Sequence, residues 1–221
     1  MLIGKFFNKI NSKYRDHYFS GLSFNSLNLK KNNIFFAIKG TSINGNRYIN
    51  DAVKKGAKTI VSNSNFQGLK NKILYIKDNN PRTLLAKVAS KIYQPKPKNL
   101  IAVTGTNGKS SIADFYYQIL KLNKKKVASI GTLGIKTHRK NFEINNTTLD
   151  PISLNYHLQK IKKLNINNVI LEASSHGLKQ NRLNGLYFKI GIFTNLSHDH
   201  LDYHKSFKDY LKSKLFLFEN L

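Results

Sequence analysis

The segment Ile101-Ala102-Val103-Thr104-Gly105-Thr106-Asn107-Gly108-Lys109-Ser110-Ser111 constrains this chain more than any other feature. An apolar run leads into a glycine turn, and the turn leads into a helical pattern. A buried strand, a tight loop and a helix start in immediate succession place backbone N–H groups and the positive end of a helix at one point. Gly105 and Gly108 let the backbone approach an anion and turn amides toward it. Lys109 can then reach the β- and γ-phosphates of ATP, and the Ser110 hydroxyl can ligate Mg²⁺. The expected ATP-binding set is Gly105, Thr106, Asn107, Gly108, Lys109, Ser110 and Ser111. Val103 stands where the strict Walker pattern has its first glycine, so the loop is a variant of that pattern. The helix after it should bury Ile112, Phe115, Tyr116, Ile119 and Leu120. An ordinary glycine-rich βα turn is the bland competitor.

The surroundings suit a nucleotide loop. Strand-like runs at 100–104, 127–130, 169–171 and 190–194 alternate with helical segments, which predicts βαβ units and a mostly parallel sheet. Ligands in such sheets bind at the carboxyl ends of the strands. Upstream, 34–38 reads as a buried strand, followed by a loop from Lys39 to Gly45. Tyr48, Ile49, Ala52 and Val53 then share a helical face that Gly56 should end. Further strands are expected at 59–61 and 73–76. Asn80 should cap a helix that has Pro81 at its first position and runs to about Tyr93.

Between these halves, Tyr93-Gln94-Pro95-Lys96-Pro97-Lys98-Asn99 carries two of the chain's four prolines, where regular structure should stop. The expected fold class is α/β. A small N-terminal α/β domain occupies 1–94, a linker 95–99, and a mostly parallel P-loop-type central domain 100–221.

Composition narrows the function classes. With no cysteine, disulfides, thiolate metal sites and cysteine nucleophiles are excluded. No stretch is apolar for long enough to cross a membrane, and the N-terminus lacks a signal-peptide core, so a cytoplasmic protein without a membrane partner is expected. The formal net charge is +26, which by itself would suggest nucleic acid. Yet arginine occurs only at five positions, and lysine supplies the rest alongside abundant Asn and Ile, the residues that AT-rich codons favour. No aromatic RNA platform or recognition helix accompanies the charge, so no specific nucleic-acid partner is expected. Steering of anionic nucleotides is the remaining use of the charge.

Three further groups could complete a phosphoryl-transfer site. Val169-Ile170-Leu171-Glu172 is an apolar strand ending in a carboxylate, a layout that sets an acidic oxygen beside a phosphate-bound Mg²⁺. Read alone, Glu172 could equally be a helix cap or a surface ion pair. His198, Asp199, His200, Asp202 and His204 form a cluster for which a zinc site is the competing reading. Ser206 to Leu221 reads as an amphipathic helix with Phe207, Tyr210, Leu211, Leu215 and Phe218 on one face. Lys214 falls on that apolar face, whereas Lys205, Lys208 and Lys212 fall on the other. A lysine pointing inward is relieved of its desolvation cost by losing its proton, and the neutral amine can take up CO₂ as a carbamate. A lysine snorkelling at the edge of the stripe is the alternative.

Thr104 to Ser111 resembles the T-G-T-N-G-K-[TS] loop of the Mur ligases and their folylpolyglutamate synthase relatives. Four more segments resemble the UDP-N-acetylmuramoyl-tripeptide synthetases of that family. They are Asn146-Thr147-Thr148, Glu172 to Leu178, Gln180-Asn181-Arg182, and Phe193 to His204. The resemblance implies an ATP-dependent amide-bond ligase that adds the third amino acid to UDP-N-acetylmuramoyl-L-alanyl-D-glutamate through an acyl phosphate. It implies Lys109, Glu172, His200 and carbamylated Lys214 as the catalytic set, with Ser110, Glu172, His200 and Lys214 as metal ligands. His198 stands where the family usually has arginine. Substrate contacts are implied for Asn146, Thr147, Thr148, Ser174, Gln180 and Arg182, whose guanidinium suits a carboxylate or phosphate. In the first domain, Gly40 to Gly45 resembles the uridine-binding loop, bringing in Thr41, Ser42 and Ile43. Phe24-Asn25-Ser26-Leu27 stands where an Asp-Ser-Arg motif is usual, so Phe24 and Ser26 join the set while both charged members are lost.

The implied partners are the UDP-muramoyl dipeptide and an incoming amino acid, diaminopimelate or lysine, acting on a monomer. Family members continue for roughly as long again, so the central domain is expected to be incomplete and the chain alone to show little ligase activity. Another Mur ligase, a folylpolyglutamate synthase and a non-ligase P-loop ATP binder share the loop and remain rivals.

Overall fold

The computed structural model describes residues 1–8, 10–40, 43–138, 141–144 and 146–221. The chain divides into two compact units, Met1–Ile92 and Tyr93–Leu221.

In the first unit the strands are β1 (Gly21–Ser23), β2 (Asn33–Phe36), β3 (Thr59–Ser62), β4 (Gly68–Lys70) and β5 (Ile73–Lys77). They form one sheet in the order β1-β2-β3-β5-β4, parallel except for the β4–β5 pair. β2 and β3 are buried along their whole length, as central parallel strands must be, which explains the unbroken apolar run Ile34-Phe35-Phe36. Helix α1 (Ile49–Lys54) packs Ala52 against Phe35, Ala37, Ala57 and Ile60, and Gly56 ends it at φ +94°. Tyr48, expected on the helical face, lies in a preceding 3₁₀ turn and is exposed. Helix α2 (Pro81–Ile92) starts as expected: the Asn80 side-chain oxygen accepts from the Thr83 N–H at 3.1 Å. β1 and β4 are three-residue strands, too short to leave a readable period in the sequence.

The second unit begins with residues 93–98, which form neither helix nor strand. Its elements are β6 (Asn99–Thr104), α3 (Lys109–Leu122), β7 (Val127–Gly131), β8 (Gly134–Thr137), β9 (Asn141–Phe142), α4 (Pro151–Lys163), β10 (Asn168–Glu172), α5 (Ser175–Lys179), β11 (Ile190–Phe193) and α6 (Phe207–Leu215). The sheet order is β11-β6-β10-β7-β8-β9, with β11, β6, β10 and β7 mutually parallel and β8–β9 an antiparallel extension. Alternation along β6 builds both cores. Leu100 and Ala102 face Leu154, Leu158 and Ile161 of α4, whereas Ile101 and Val103 face Ala113 and Ile112 of α3. The sheet is thus covered on both sides, the arrangement that parallel strands require. Asp150 caps α4 by accepting from the Ile152 and Ser153 amides, with Pro151 at the first helical position. Among the described residues no helix is long and apolar enough to cross a membrane.

Two expected helical faces are corrected. On α3 the buried positions are Ala113 and Tyr117, flanked by Ile112 and Tyr116, while Phe115 (61% exposed) and Ile119 (57%) point outward. The helix is rotated by about one residue relative to expectation because the small Ala113 sits closest to the sheet, and large apolar positions dominate a periodicity argument. The second correction is the C-terminal helix, which ends at Leu215, with a short 3₁₀ turn at Phe218–Asn220 beyond it. Its inward residues are Tyr210, Ser213 and Lys214, followed by Leu217, whereas Phe207 and Leu215 are exposed. The inward stripe is more polar than a core-seeking pattern would place there.

Candidate functional site

β6 ends between two parallel neighbours. Glu172 at the end of β10 pairs in register with Val103, and Phe193 at the end of β11 with Thr104. The chain therefore leaves the sheet at Gly105 flanked by two other carboxyl ends, the crevice that open α/β sheets offer to ligands.

The loop is tightly determined. Gly105 has φ +146°, and a Cβ there would lie 1.8 Å from Thr194 Oγ1. Gly108, at φ +84°, is the residue that caps α3. The Thr106 N–H donates to Asn195 O at 3.0 Å, the Asn107 N–H to Asn195 Oδ1 at 3.0 Å, and Thr194 Oγ1 to Asn107 O at 2.6 Å. The Thr106 hydroxyl accepts from the Ser197 N–H at 3.0 Å and lies 3.0 Å from the Tyr210 hydroxyl. Two amides expected to face a phosphate are thus committed within the protein. The first turn of α3 has N–H groups without an intrahelical acceptor, donors of the kind that suit an anion.

Beside this turn lies an open cleft of about 270 Å³. Residues 105–111 form one wall, and Thr132, Thr147, Glu172, Ser174, Ser175, His200 and Lys214 line the rest. Glu172 is only 2% exposed. Its Oε2 accepts from Ser110 Oγ at 2.9 Å and from Thr132 Oγ1 at 3.2 Å, and its Oε1 from the Thr132 N–H at 2.9 Å. A Cβ on Gly131 would lie 2.1 Å from Oε1, so only glycine at the end of β7 lets the carboxylate reach this place. A hydroxyl and a carboxylate joined at a helix start are hard oxygen donors of the kind Mg²⁺ takes.

Two lysines meet on one carbonyl. Lys109 Nζ donates to Gly105 O at 2.9 Å and Thr106 O at 2.7 Å, and Lys214 Nζ donates to Gly105 O at 2.6 Å. Lys214 is 1% exposed. Burial, with a further contribution from the Lys109 charge, pushes its amine down to about 8, against an opposing pull from Asp199. Burial also lowers Lys109, with Glu172 and Asp199 acting in the opposite sense. While protonated, the buried Lys214 costs the fold stability. The unfolded chain holds that proton up to about 10.5, so the cost shrinks as pH rises from about 8 toward that value.

The histidine cluster does not gather. His200 lines the cleft at φ +53°, its Nε2 3.5 Å from Asp199 Oδ2. His198 instead stacks on Phe207 at 4.7 Å between ring centroids, and His204 is buried against Ser175. Among the described residues no three His, Cys, Asp or Glu side chains come together as a metal site, so the zinc reading loses its geometry.

The residues expected to touch substrate separate into groups. Thr147 and Ser174 line the cleft, with Thr147 Oγ1 3.0 Å from Thr132 Oγ1. Asn146 is exposed outside the cleft lining. Thr148 is buried: its hydroxyl lies 2.9 Å from Glu172 O and accepts from the Ser174 N–H at 2.9 Å, bracing the end of β10. Arg182 donates from Nη1 to Thr148 O at 2.5 Å and from Nη2 to Gln180 Oε1 at 2.8 Å, while Gln180 Nε2 donates to the Tyr203 hydroxyl at 3.1 Å. Gln180 and Arg182 lie outside the cleft lining. In the first unit Phe24 and Ile43 are exposed. Ser26 is buried and hydrogen-bonds Asp51, which with Lys55 holds that carboxyl below its usual value. Thr41 and Ser42 lie outside the described residues.

Sequence reasoning missed Thr132, Ser175, Asn195 and Tyr210. Thr132 was within reach, because it follows the carboxyl end of β7, the next strand but one from the loop. Tyr210 was read only as a core residue.

The description "Mur ligase middle domain" matches residues 103–221, and "Mur ligase family, catalytic domain" matches residues 18–94. The UDP-N-acetylmuramoyl-L-alanyl-D-glutamate–2,6-diaminopimelate ligase of Rickettsia montanensis is 42% identical over 211 residues, 94% of this chain and 44% of that protein. The ligase of the same name from Rickettsia prowazekii (strain Madrid E) is 40% identical over 213 residues, 95% of this chain and 44% of the relative. The chain thus spans less than half the length of these relatives. A solved structure of a UDP-N-acetylmuramoyl-L-alanyl-D-glutamate–2,6-diaminopimelate ligase superposes with a TM-score of 0.85 at 28% identity, covering 100% of this chain and 45% of that one. A MurF ligase from Thermotoga maritima in complex with ADP shares the fold at a TM-score of 0.58 and 19% identity, over 89% of this chain and 42% of its own.

Proposed function

Because the chain belongs to the Mur ligase family, we propose that its cleft is the ATP site of a ligase that joins diaminopimelate to UDP-N-acetylmuramoyl-L-alanyl-D-glutamate. One observation carries this reading. A helix-capping phosphate turn, a Ser110–Glu172 pair at 2.9 Å and the amine of Lys214 share one cleft. The names of the relatives supply the substrate and the incoming amino acid.

In the proposed reaction a carboxylate oxygen of the D-glutamyl residue attacks the γ-phosphorus of ATP. The bond from phosphorus to the β–γ bridging oxygen breaks, and ADP leaves. The amine of the amino acid then attacks the acyl carbon, loses a proton and expels inorganic phosphate. Lys109 has its ammonium at the base of the loop, poised to exchange backbone carbonyls for phosphate oxygens and to stabilise charge as transfer proceeds. The first turn of α3 orients the phosphates through its free amides. Ser110, Glu172 and His200 would hold Mg²⁺, whose charge would offset that of the phosphates. Thr147 and Ser174 present hydroxyls to the sugar-peptide substrate, while Thr148, Gln180 and Arg182 support the wall behind them. The +26 charge assists by drawing anionic nucleotides to the surface.

The proposal includes Lys214 as a carbamate. With its amine near 8, about a tenth is neutral at pH 7, against about three parts in ten thousand for an ordinary lysine. The nitrogen lone pair attacks the carbon of CO₂ and a proton is lost from nitrogen, leaving a carbamate whose single negative charge is shared by two oxygens where an ammonium stood. Supplying ¹³C-bicarbonate should produce a carbamate resonance that grows as pH rises through about 8 and is absent from Lys214→Met. A spectrum without that resonance on the alkaline side would show that Lys214 is not carbamylated.

Isothermal titration tests the main reading. A non-hydrolysable ATP analogue should bind with heat that depends on Mg²⁺, and UDP-muramoyl dipeptide should bind in a separate titration. Generic DNA should lose its affinity as salt rises toward physiological strength. Binding of the ATP analogue without any response to the muramoyl dipeptide would favour a nucleotide-binding protein that is not a ligase.

A further inference from the structure

Ser175 lines the cleft, yet nothing in the mechanism above uses it. Behind it stands His204, 1% exposed, with Nε2 3.0 Å from Ser175 Oγ. On the far side of the ring, Nδ1 lies 3.4 Å from Ser213 Oγ and 3.8 Å from Asp209 Oδ2. The Asp209 carboxylate is itself paired with Lys179 and accepts from the Lys205 N–H at 3.2 Å.

The protons in this chain can be assigned by elimination. A serine hydroxyl has one proton to give. That of Ser213 goes to Asp209 O, at 2.7 Å. Toward His204, then, Ser213 Oγ is an acceptor, and the Asp209 carboxylate on the same side accepts only. Both neighbours of Nδ1 therefore require Nδ1 to carry the ring proton. The ring is 1% exposed and the Asp209 carboxylate beside it is already paired with Lys179, so the buried imidazole is held neutral. A neutral ring protonated on Nδ1 has a lone pair on Nε2, and the Ser175 hydroxyl must donate to it. Its own lone pairs are left to face the cleft.

We propose that His204 is a positioning residue that fixes Ser175 as a cleft-facing oxygen acceptor, and that this oxygen binds the divalent cation of the nucleotide, directly or through one of its waters. This rests on the reading of the cleft as an Mg²⁺–ATP site. The chemistry suits it: Ser110, Glu172 and Ser175 all line the cleft, and hard cations take oxygen ligands. A serine whose proton is already engaged cannot turn that proton toward the metal. His204 also ties α5, which carries Ser175, to α6, which carries Ser213 and Lys214, so the cation-facing oxygen and the buried lysine are set by one contact.

The first test needs no ligand. The ring nitrogens of His204, assigned through its backbone in a ¹⁵N-labelled full chain at neutral pH, should report the Nδ1-protonated tautomer, which is the minor one for histidine in water. Finding the proton on Nε2 would overturn the proposal whether or not the cleft binds nucleotide. The second test compares Mn²⁺ affinity in the presence of the non-hydrolysable ATP analogue with analogue affinity in EDTA. Ser175→Ala and His204→Phe should each weaken Mn²⁺ by about tenfold and leave metal-free nucleotide affinity unchanged. Mn²⁺ binding unchanged in both folded variants would overturn the role given to Ser175. If instead the unaltered chain bound neither nucleotide nor Mn²⁺, the ATP-site reading itself would fail, and the tautomer alone would show whether His204 orients the hydroxyl.

Discussion

Replacing Lys109 by methionine should weaken binding of an ATP analogue by about 100-fold, close to 3 kcal/mol, while the chain melts no lower than before. Loss and gain come from the same atom. The ammonium is held by two backbone carbonyls, Gly105 O and Thr106 O, and neither is a charged partner. Burial already lowers its proton affinity, and Lys214 presses on the same Gly105 oxygen. Such a charge is poorly compensated until phosphate arrives, so removing it relieves the unliganded fold and ruins the liganded one. The variant should also raise the Lys214 amine above its present value near 8, because the Lys109 charge contributes to depressing it. Calorimetry of nucleotide binding and a thermal melt measure the two halves. A variant that melted several degrees lower and still bound nucleotide normally would reverse the assignment, making Lys109 a structural residue.

Gly105→Ala should be the most damaging single methyl group in the second unit. The backbone there has φ +146°, and the new Cβ would sit 1.8 Å from Thr194 Oγ1, whose hydroxyl donates to Asn107 O at 2.6 Å. Backbone strain and overpacking each cost on the order of 1–3 kcal/mol, so a loss of about 3 kcal/mol and a drop of about 10 °C in melting temperature are expected. Relief by Thr194→Ala in the same chain should be partial, because it removes the collision and leaves the strained φ. A Gly105→Ala chain melting within a degree of the parent would show that the loop is not held in this conformation. Gly131 faces the collision alone, without a positive φ, with Glu172 Oε1 as its neighbour.

The sequence was most legible where one residue type had one physical use. The run Ile101 to Ser111 declared a strand, a turn and a helix because glycine, lysine and serine at those spacings satisfy few other arrangements, and the structure builds all three. Asn80-Pro81 announced a helix start in the same way. Legibility failed where the deciding contact is distant in sequence. Asn195 takes the Thr106 and Asn107 amides from 88 or 89 residues away, and no local pattern advertises that. Nor does any local pattern show that the Thr148 hydroxyl lies against Glu172 O or that Arg182 donates to Thr148 O and Gln180. The faces of α3 and α6 were misread because periodicity weights large apolar residues. In α3 the sheet receives Ala113, and in α6 the inward turn carries Ser213 and Lys214. The placement of Lys214 on the inward side did follow from its register relative to Tyr210.

The Gly108 turn, the Glu172 carboxylate and the Lys214 amine are proposed to serve one bound nucleotide and its cation. Crystals of the chain grown with a non-hydrolysable ATP analogue and Mn²⁺ would test it through the anomalous signal of the metal. A manganese peak is expected beside Ser110 Oγ and Glu172, with triphosphate density over the first turn of α3. Triphosphate density elsewhere, or a peak on side chains remote from Glu172, would contradict it.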